Sequence, residues 1–135
     1  MRFVHFAALC AVALLVGVGA ASSQMTKPTE SKGVTRNVLV SYDLGKQGLT
    51  DYGSRQFQIV KITLAPGGVA AYHSHADRPG GLYVVQGTLM EHRDGVPDRV
   101  VKAGDTITET TDVKHWVETQ GNTDAILIGT YLVKP

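Results

Sequence analysis

The chain has 135 residues, with 13 Lys and Arg against 12 Asp and Glu, five His and a single Cys. That length suits one domain built on one core. The balanced charge argues against nucleic acid or an anionic membrane as partner, since both require a basic surface, and one cysteine cannot form a disulfide within the chain.

Residues 1–21 have the layout of a secretory signal peptide. Arg2 precedes an almost wholly apolar run from Phe3 to Gly19, and the small residues Gly19, Ala20, Ala21, Ser22 and Ser23 favour cleavage after Ala21. The run is slightly short for a span of about 20 residues, so cleavage is expected rather than anchoring, with a periplasmic or secreted product. Cleavage removes Arg2 and Cys10 but no acid, leaving 12 basic and 12 acidic residues. Any metal in the mature chain must then be held by His and carboxylates. Residues 22–33 are polar, contain Pro28 and read as a flexible leader. Residues 34–135 are expected to form the folded domain.

Short β-type runs follow one another through that domain. Val34 to Tyr42 alternates, and Gln56 to Leu64 carries Phe57, Ile59, Val60, Ile62 and Leu64. Ala65-Pro66-Gly67-Gly68 is expected to turn the chain into Val69 to His75. After a loop, Leu82 to Val85 leads to Gln86-Gly87, which has the composition of a tight hairpin into Thr88 to Arg93. Arg99 to Val101, Thr106 to Glu109, Val113 to Glu118 and Ala125 to Val133 complete the series, divided by Gly-marked turns. No amphipathic helix stands out. Many short strands so spaced imply an all-β sandwich or barrel.

His73-Ser74-His75 carries the first chemical signal. On a strand, residues i and i+2 share a face about 6–7 Å apart, a spacing that lets two imidazoles converge on one metal ion. Four His remain after cleavage: His73, His75, His92 and His115. With Gly67, Gly87, Gly104 and His115 around them, the two His place the chain in resemblance to the cupin superfamily. The first cupin motif is Gly, five residues, His-x-His, three or four residues, Glu, six residues, Gly; here Gly67, His73, His75, Gly80 and Gly87 hold those places. The second motif is Gly, five residues, Pro-x-Gly, two residues, His, three residues, Asn; here Gly104, Thr110, Asp112, His115 and Thr119 hold them. The spacing is kept while Gly80 replaces the Glu.

The resemblance, to small single-domain cupins of the quercetin-dioxygenase-like, RmlC-like kind, implies a double-sheet jelly-roll β-barrel. It also implies one divalent metal ion held by His73, His75 and His115. Imidazoles suit Fe, Mn, Zn, Ni or Cu. With no acid at Gly80, up to three positions of an octahedron stay open to water, an anionic substrate or O₂. A minority of metal-binding cupins, thiol dioxygenases and β-diketone-cleaving enzymes among them, use three His alone.

Strand parity suggests an acid to fill the gap. A two-residue Gln86-Gly87 turn would pair Gly80 with Arg93 and Leu82 with Glu91, putting Glu91 on the face of the absent ligand. Glu91 is therefore the candidate catalytic acid, behind the ligands or in place of the missing one, with Asp77 a second candidate. The same alternation turns Val69, Ala71, Leu82, Val84, Val113 and Val117 inward. Val60, Ile62, Leu64, Ile126 and Ile128 are further core candidates. His92 reads as a surface residue and Trp116 as packing on the outer sheet. Arg55 and Arg78 flank the expected mouth, where they could attract a carboxylate.

The leading expectation is an exported cupin with a mononuclear metal site and dioxygenase-like chemistry on a small organic molecule. The alternatives are a non-enzymatic module that binds a small molecule or metal, and a metal-free scaffold. The family resemblance further implies a homodimer, in which Val34 to Tyr42 could be exchanged. No nucleic-acid or membrane partner is expected after signal cleavage.

Overall fold

The computed structural model describes residues 25–135. The expected signal peptide, Cys10 and the first residues of the leader lie outside the described residues. Eight strands make up the fold: β1 (Lys32–Asp43), β2 (Gln56–Ser74), β3 (Gly80–Gln86), β4 (Thr88–Arg93), β5 (Arg99–Lys102), β6 (Thr106–Glu109), β7 (Lys114–Gln120) and β8 (Ala125–Val133). All pairings are antiparallel. The strands run in the order β5-β4-β7-β2-β8-β3-β6, with β1 added against β2, and the sheet curls into a nearly closed barrel, one of the two all-β forms that the strand spacing allows and consistent with the jelly roll that the cupin resemblance implies.

β2 holds the barrel together. The turn expected at residues 65–68 does not end a strand: β2 continues for 19 residues through Pro66 and Gly67. Its first half, Gln56 to Leu64, lies between β1 and β8, and its second half pairs with β7. The bend between the halves is fastened by Thr119 of β7. Its Oγ1 accepts from the Gly68 N–H and donates to the Ala65 carbonyl, both at 2.8 Å. A Cβ on Gly68 would lie 2.7 Å from the Ala65 oxygen, so the bend requires glycine there.

The expected β3–β4 hairpin does not form. β3 pairs with β6 and β8, whereas β4 pairs with β5 and β7. Gly87 (φ 84°) passes so close to β8 that a Cβ would lie 2.7 Å from Ala125 Cα, and the chain crosses there to the other sheet. Gly80 therefore does not face Arg93. Its register partners are Glu109 on β6 and Tyr131 on β8. Two short 3-10 helices, Gly45–Gln47 and Thr50–Tyr52, occupy the stretch between β1 and β2.

The core is a continuous apolar cluster that includes Val60, Leu64, Val84, Leu89, Ile107 and Leu127. Leu82, Val84, Val113 and Val117 are buried as the alternation requires. Two of the core expectations are overturned, one from parity and one among the further candidates. The register of β2 shifts between Ala70 and His73, so Ala70 rather than Val69 packs on the core. On β8 the inward set is Ala125, Leu127, Gly129 and Tyr131, which leaves Ile126 and Ile128 half-buried on the opposite face. Residues ahead of β1 lie along β2: the Tyr72 N–H donates to the Pro28 carbonyl at 2.9 Å, and the Ala71 N–H to Ser31 Oγ at 2.9 Å.

Candidate metal centre

The bend in β2 delivers His73 and His75 into the barrel, and β7 places His115 as the register partner of His73. Ligand-capable atoms of the three side chains all lie within 4.8 Å of one another. Their Nε2 atoms converge: His73 to His75 is 3.0 Å and His75 to His115 is 3.1 Å. Two ligands at right angles on bonds of about 2.1 Å would sit about 3.0 Å apart.

Each imidazole is oriented through its other nitrogen. His73 Nδ1 faces the Ala71 carbonyl at 2.7 Å, His75 Nδ1 the Arg78 carbonyl at 3.2 Å, and His115 Nδ1 the Glu91 carboxylate at 2.9 Å. A carbonyl or carboxylate oxygen can only accept, so each Nδ1 must carry the hydrogen. In the neutral rings all three Nε2 lone pairs are then bare and point at one another. Lone pairs at 3.0 Å repel unless a cation lies among them. A proton on His115 would leave the His73–His75 contact unrelieved.

Burial bears on the charge of the three rings. It drives the pKa of His73 down to about 4 and lowers that of His75, so both are neutral at pH 7, as metal ligands must be. Burial also opposes charge on His115, but Glu109 and Glu91 together outweigh it and raise that pKa.

Glu91 is 1 % exposed and lies behind His115, not among the Nε2 atoms. It also accepts from Arg93 Nη2 at 2.8 Å and from Arg99 Nε at 2.6 Å. Burial alone would raise its pKa, yet His115 and the two guanidiniums bring it down to about 2. It reaches this place from β4 opposite Val117 and Arg99, not through the pairing with β3 from which it was singled out. Asp77, the second candidate acid, is exposed beside Lys134 and does not join the cluster.

Glu109, which the sequence reading does not single out, does join it. Its Oε1 lies 3.5 Å from His75 Nε2 and 3.4 Å from His115 Nε2, its side chain is 2 % exposed, and its Oε2 has no hydrogen-bond partner. The local signal is the alternation of Thr106-Ile107-Thr108-Glu109, in which Glu109 shares the face of the fully buried Ile107. Its position across from Gly80 becomes visible only once β3 and β6 are paired.

A cavity of about 350 Å³ opens beside His73 and His115, walled by apolar side chains such as Ile62, Leu64, Leu82 and Leu127. Arg36 and Arg78 supply its cationic groups, and the Arg78 guanidinium lies 6.0 Å from the centre of the Tyr131 ring. Arg55 instead donates to the Asp77 carbonyl. Tyr131 is buried, and burial together with the nearby Glu109 charge raises its pKa far enough to keep the phenol protonated. His92, expected at the surface, is 7 % exposed: it stacks on Trp116 with ring centres 3.7 Å apart and meets Asp98 at 2.8 Å.

Comparison with known proteins agrees with this geometry. The family profile described as "Cupin domain" matches residues 60–131, which include all three His and Glu109. None of the curated proteins matches the chain. Among solved structures, the chain resembles a predicted oxalate decarboxylase from Thermotoga maritima (22 % identity, TM-score 0.60, covering 83 % of this chain and 96 % of that one). It also resembles an RmlC-like cupin from Shewanella frigidimarina (24 %, TM-score 0.58, covering 84 % and 87 %). KdgF from a Halomonas species is similar at 18 % identity and a TM-score of 0.59, covering 78 % of this chain and 87 % of that one. At these identities the likeness shows the fold alone.

Proposed function

This chain belongs to the cupin family, and on that premise we propose that it is an exported metalloprotein acting on a small organic anion. One divalent ion would be held by His73, His75 and His115. The observation that carries this reading is the convergence of the Nε2 atoms, with contacts of 3.0 and 3.1 Å, while each ring faces an acceptor at its Nδ1. The convergent imidazole nitrogens fit a cation, and so does the Glu109 carboxylate beside them, whose Oε2 has no hydrogen-bond partner.

When bound, such an ion supplies Lewis-acid activation of an anionic oxygen and, if it is iron, dioxygenase-type oxidation. The chain's own residues define what can approach. A cavity of about 350 Å³ with largely apolar walls admits a molecule of modest size. Arg36 and Arg78 give that cavity positive charge, which suits a carboxylate on the substrate. Glu91 holds the Nδ1 proton of His115 and so keeps its Nε2 available.

Export through residues 1–21 and homodimerisation complete the proposal. Among the described residues β1 pairs only with β2, and it exposes Val38, Leu39, Val40 and Tyr42, a row of apolar groups on a strand edge that none of those residues covers. A second copy would cover it, and light scattering that returned a monomer mass would remove this part.

The primary test is metal content by mass spectrometry on untagged protein from the exported fraction, beside a His73→Ala/His75→Ala variant. Near-stoichiometric metal that the variant loses is expected. Protein that neither carries metal nor takes it up on reconstitution would sink the reading. Metal without turnover, with a small molecule carried unchanged through purification, would mark a binding module instead of an enzyme.

A further inference from the structure

We propose that Glu109 is the fourth protein ligand of the centre, a carboxylate moved one strand across from the position that Gly80 leaves without a side chain. The inference rests on the metal reading above and adds a ligand to it.

Three observations converge on Glu109. The first is placement. Its Oε1 lies 3.5 Å from His75 Nε2 and 3.4 Å from His115 Nε2, close to the spacing of the imidazole nitrogens themselves. The second is satisfaction. Burying a carboxylate without partners is costly, yet among the described residues no Lys or Arg pairs with Glu109, and its Oε2 is buried without a hydrogen bond. Glu91 is the contrast. Two arginines and His115 already occupy its oxygens, so it has no capacity left for a metal.

The third is the wall opposite. Gly80 and Glu109 are register partners, and side chains of such a pair project on the same face of the sheet. A Cβ on Gly80 would lie 2.2 Å from the Thr130 oxygen and 2.5 Å from Tyr131 Cδ1. Tyr131 thus occupies the room a Glu at position 80 would need. Glycine at 80, tyrosine at 131 and glutamate at 109 form one arrangement: the ring takes the place of the lost side chain, and the neighbouring strand supplies the acid.

A carboxylate ligand halves the net charge of a divalent centre and leaves two open positions on an octahedron instead of three. Mixed nitrogen and oxygen donors of this kind suit Fe or Mn better than a purely imidazole set does.

The test is titration of metal-free mature protein with Co²⁺, read by affinity and by the visible d–d spectrum, for wild type, Glu109→Gln, Glu91→Gln and His73→Ala/His75→Ala. Glu109→Gln is expected to lower Co²⁺ affinity about 10- to 100-fold and to change the band positions. Glu91→Gln should weaken binding with the bands in place. Glu109→Gln is near-isosteric and removes a buried charge that no Lys or Arg among the described residues neutralises, so the metal-free variant should melt no lower than wild type. Wild-type affinity and spectrum in Glu109→Gln would overturn the proposal while leaving the three-His centre intact. A metal-free Glu109→Gln that fails to fold would also overturn it, by making the residue structural. Failure of wild type itself to bind Co²⁺ would instead strike down the metal reading beneath it.

Discussion

Glu91→Gln tests the chain of contacts that links the barrel wall to His115. In the fold the Glu91 carboxylate is 1 % exposed and accepts from His115, Arg93 and Arg99, and its pKa falls from the ordinary 4.5 to about 2. Each unit of depression corresponds to about 1.4 kcal/mol, so the ionised group contributes on the order of 3 kcal/mol to folding. The folded pKa is depressed. The contribution is therefore complete above pH 4.5 and is lost as pH falls from there through 2. Gln resembles the protonated acid, and it leaves the two guanidiniums without an anion. Urea unfolding of the metal-free domain, residues 22–135, should show wild type more stable than Glu91→Gln by about 3 kcal/mol at pH 7. The gap should narrow steadily as the pH is lowered from 5 towards 2.5. Other carboxylates titrate alike in both proteins and cancel in the difference. A gap under about 1 kcal/mol at neutral pH, or one that does not shrink in acid, would refute the contribution derived from these contacts.

Gly80→Ala forces a Cβ to within 2.2 Å of the Thr130 oxygen and 2.5 Å of the Tyr131 ring. A loss of about 2–3 kcal/mol and a melting temperature lower by roughly 10 °C or more are expected by calorimetry; an unchanged melting curve would show that β8 yields. Leu127→Ala removes a side chain 1 % exposed at the centre of the core. It should cost about 2–5 kcal/mol in chemical denaturation, and a loss below about 1 kcal/mol would contradict the packing described. The raised pKa of His115 means that part of the metal-free population carries a proton there at neutral pH. On the proposed three-His centre a metal would have to displace it, so calorimetric titration in two buffers of different ionisation enthalpy should reveal proton release that diminishes as the pH rises. Equal heats in both buffers would contradict it.

Much of this protein is legible in local patterns. Alternation with period two and Gly-marked turns suffice for an all-β sandwich or barrel, because the pleat sends alternate side chains to opposite faces whatever the partner strand, and the motif spacing shared with cupins narrows this to the barrel. The spacing Gly67, His73, His75, Gly87, Gly104, His115 is likewise a property of the chain alone, and the structure brings those three His together. Register across strands is different. Nothing local says that β2 runs unbroken through Pro66 and Gly67 to switch sheets, that a one-residue shift puts Ala70 rather than Val69 on the core, or that Leu127 and not Ile126 faces inward. Each of these is decided by what packs on the far side.

The acids show the division most plainly. Glu91 could be singled out only by assuming a hairpin at Gln86-Gly87, and that hairpin does not exist because Gly87 passes against Ala125 and carries the chain to the other sheet. Glu91 nevertheless meets His115, by way of β7. Glu109 is 29 residues from Gly80 in sequence and directly opposite it in the sheet. The sequence by itself determined the strand periodicity, the all-β class and, through the cupin-like motif spacing, the three imidazoles, since these depend on residue type and spacing along one chain. Only the tertiary structure decided which carboxylate stands beside them, because that depends on which strand closes the barrel next to Gly80, and strand pairing is a choice among distant segments.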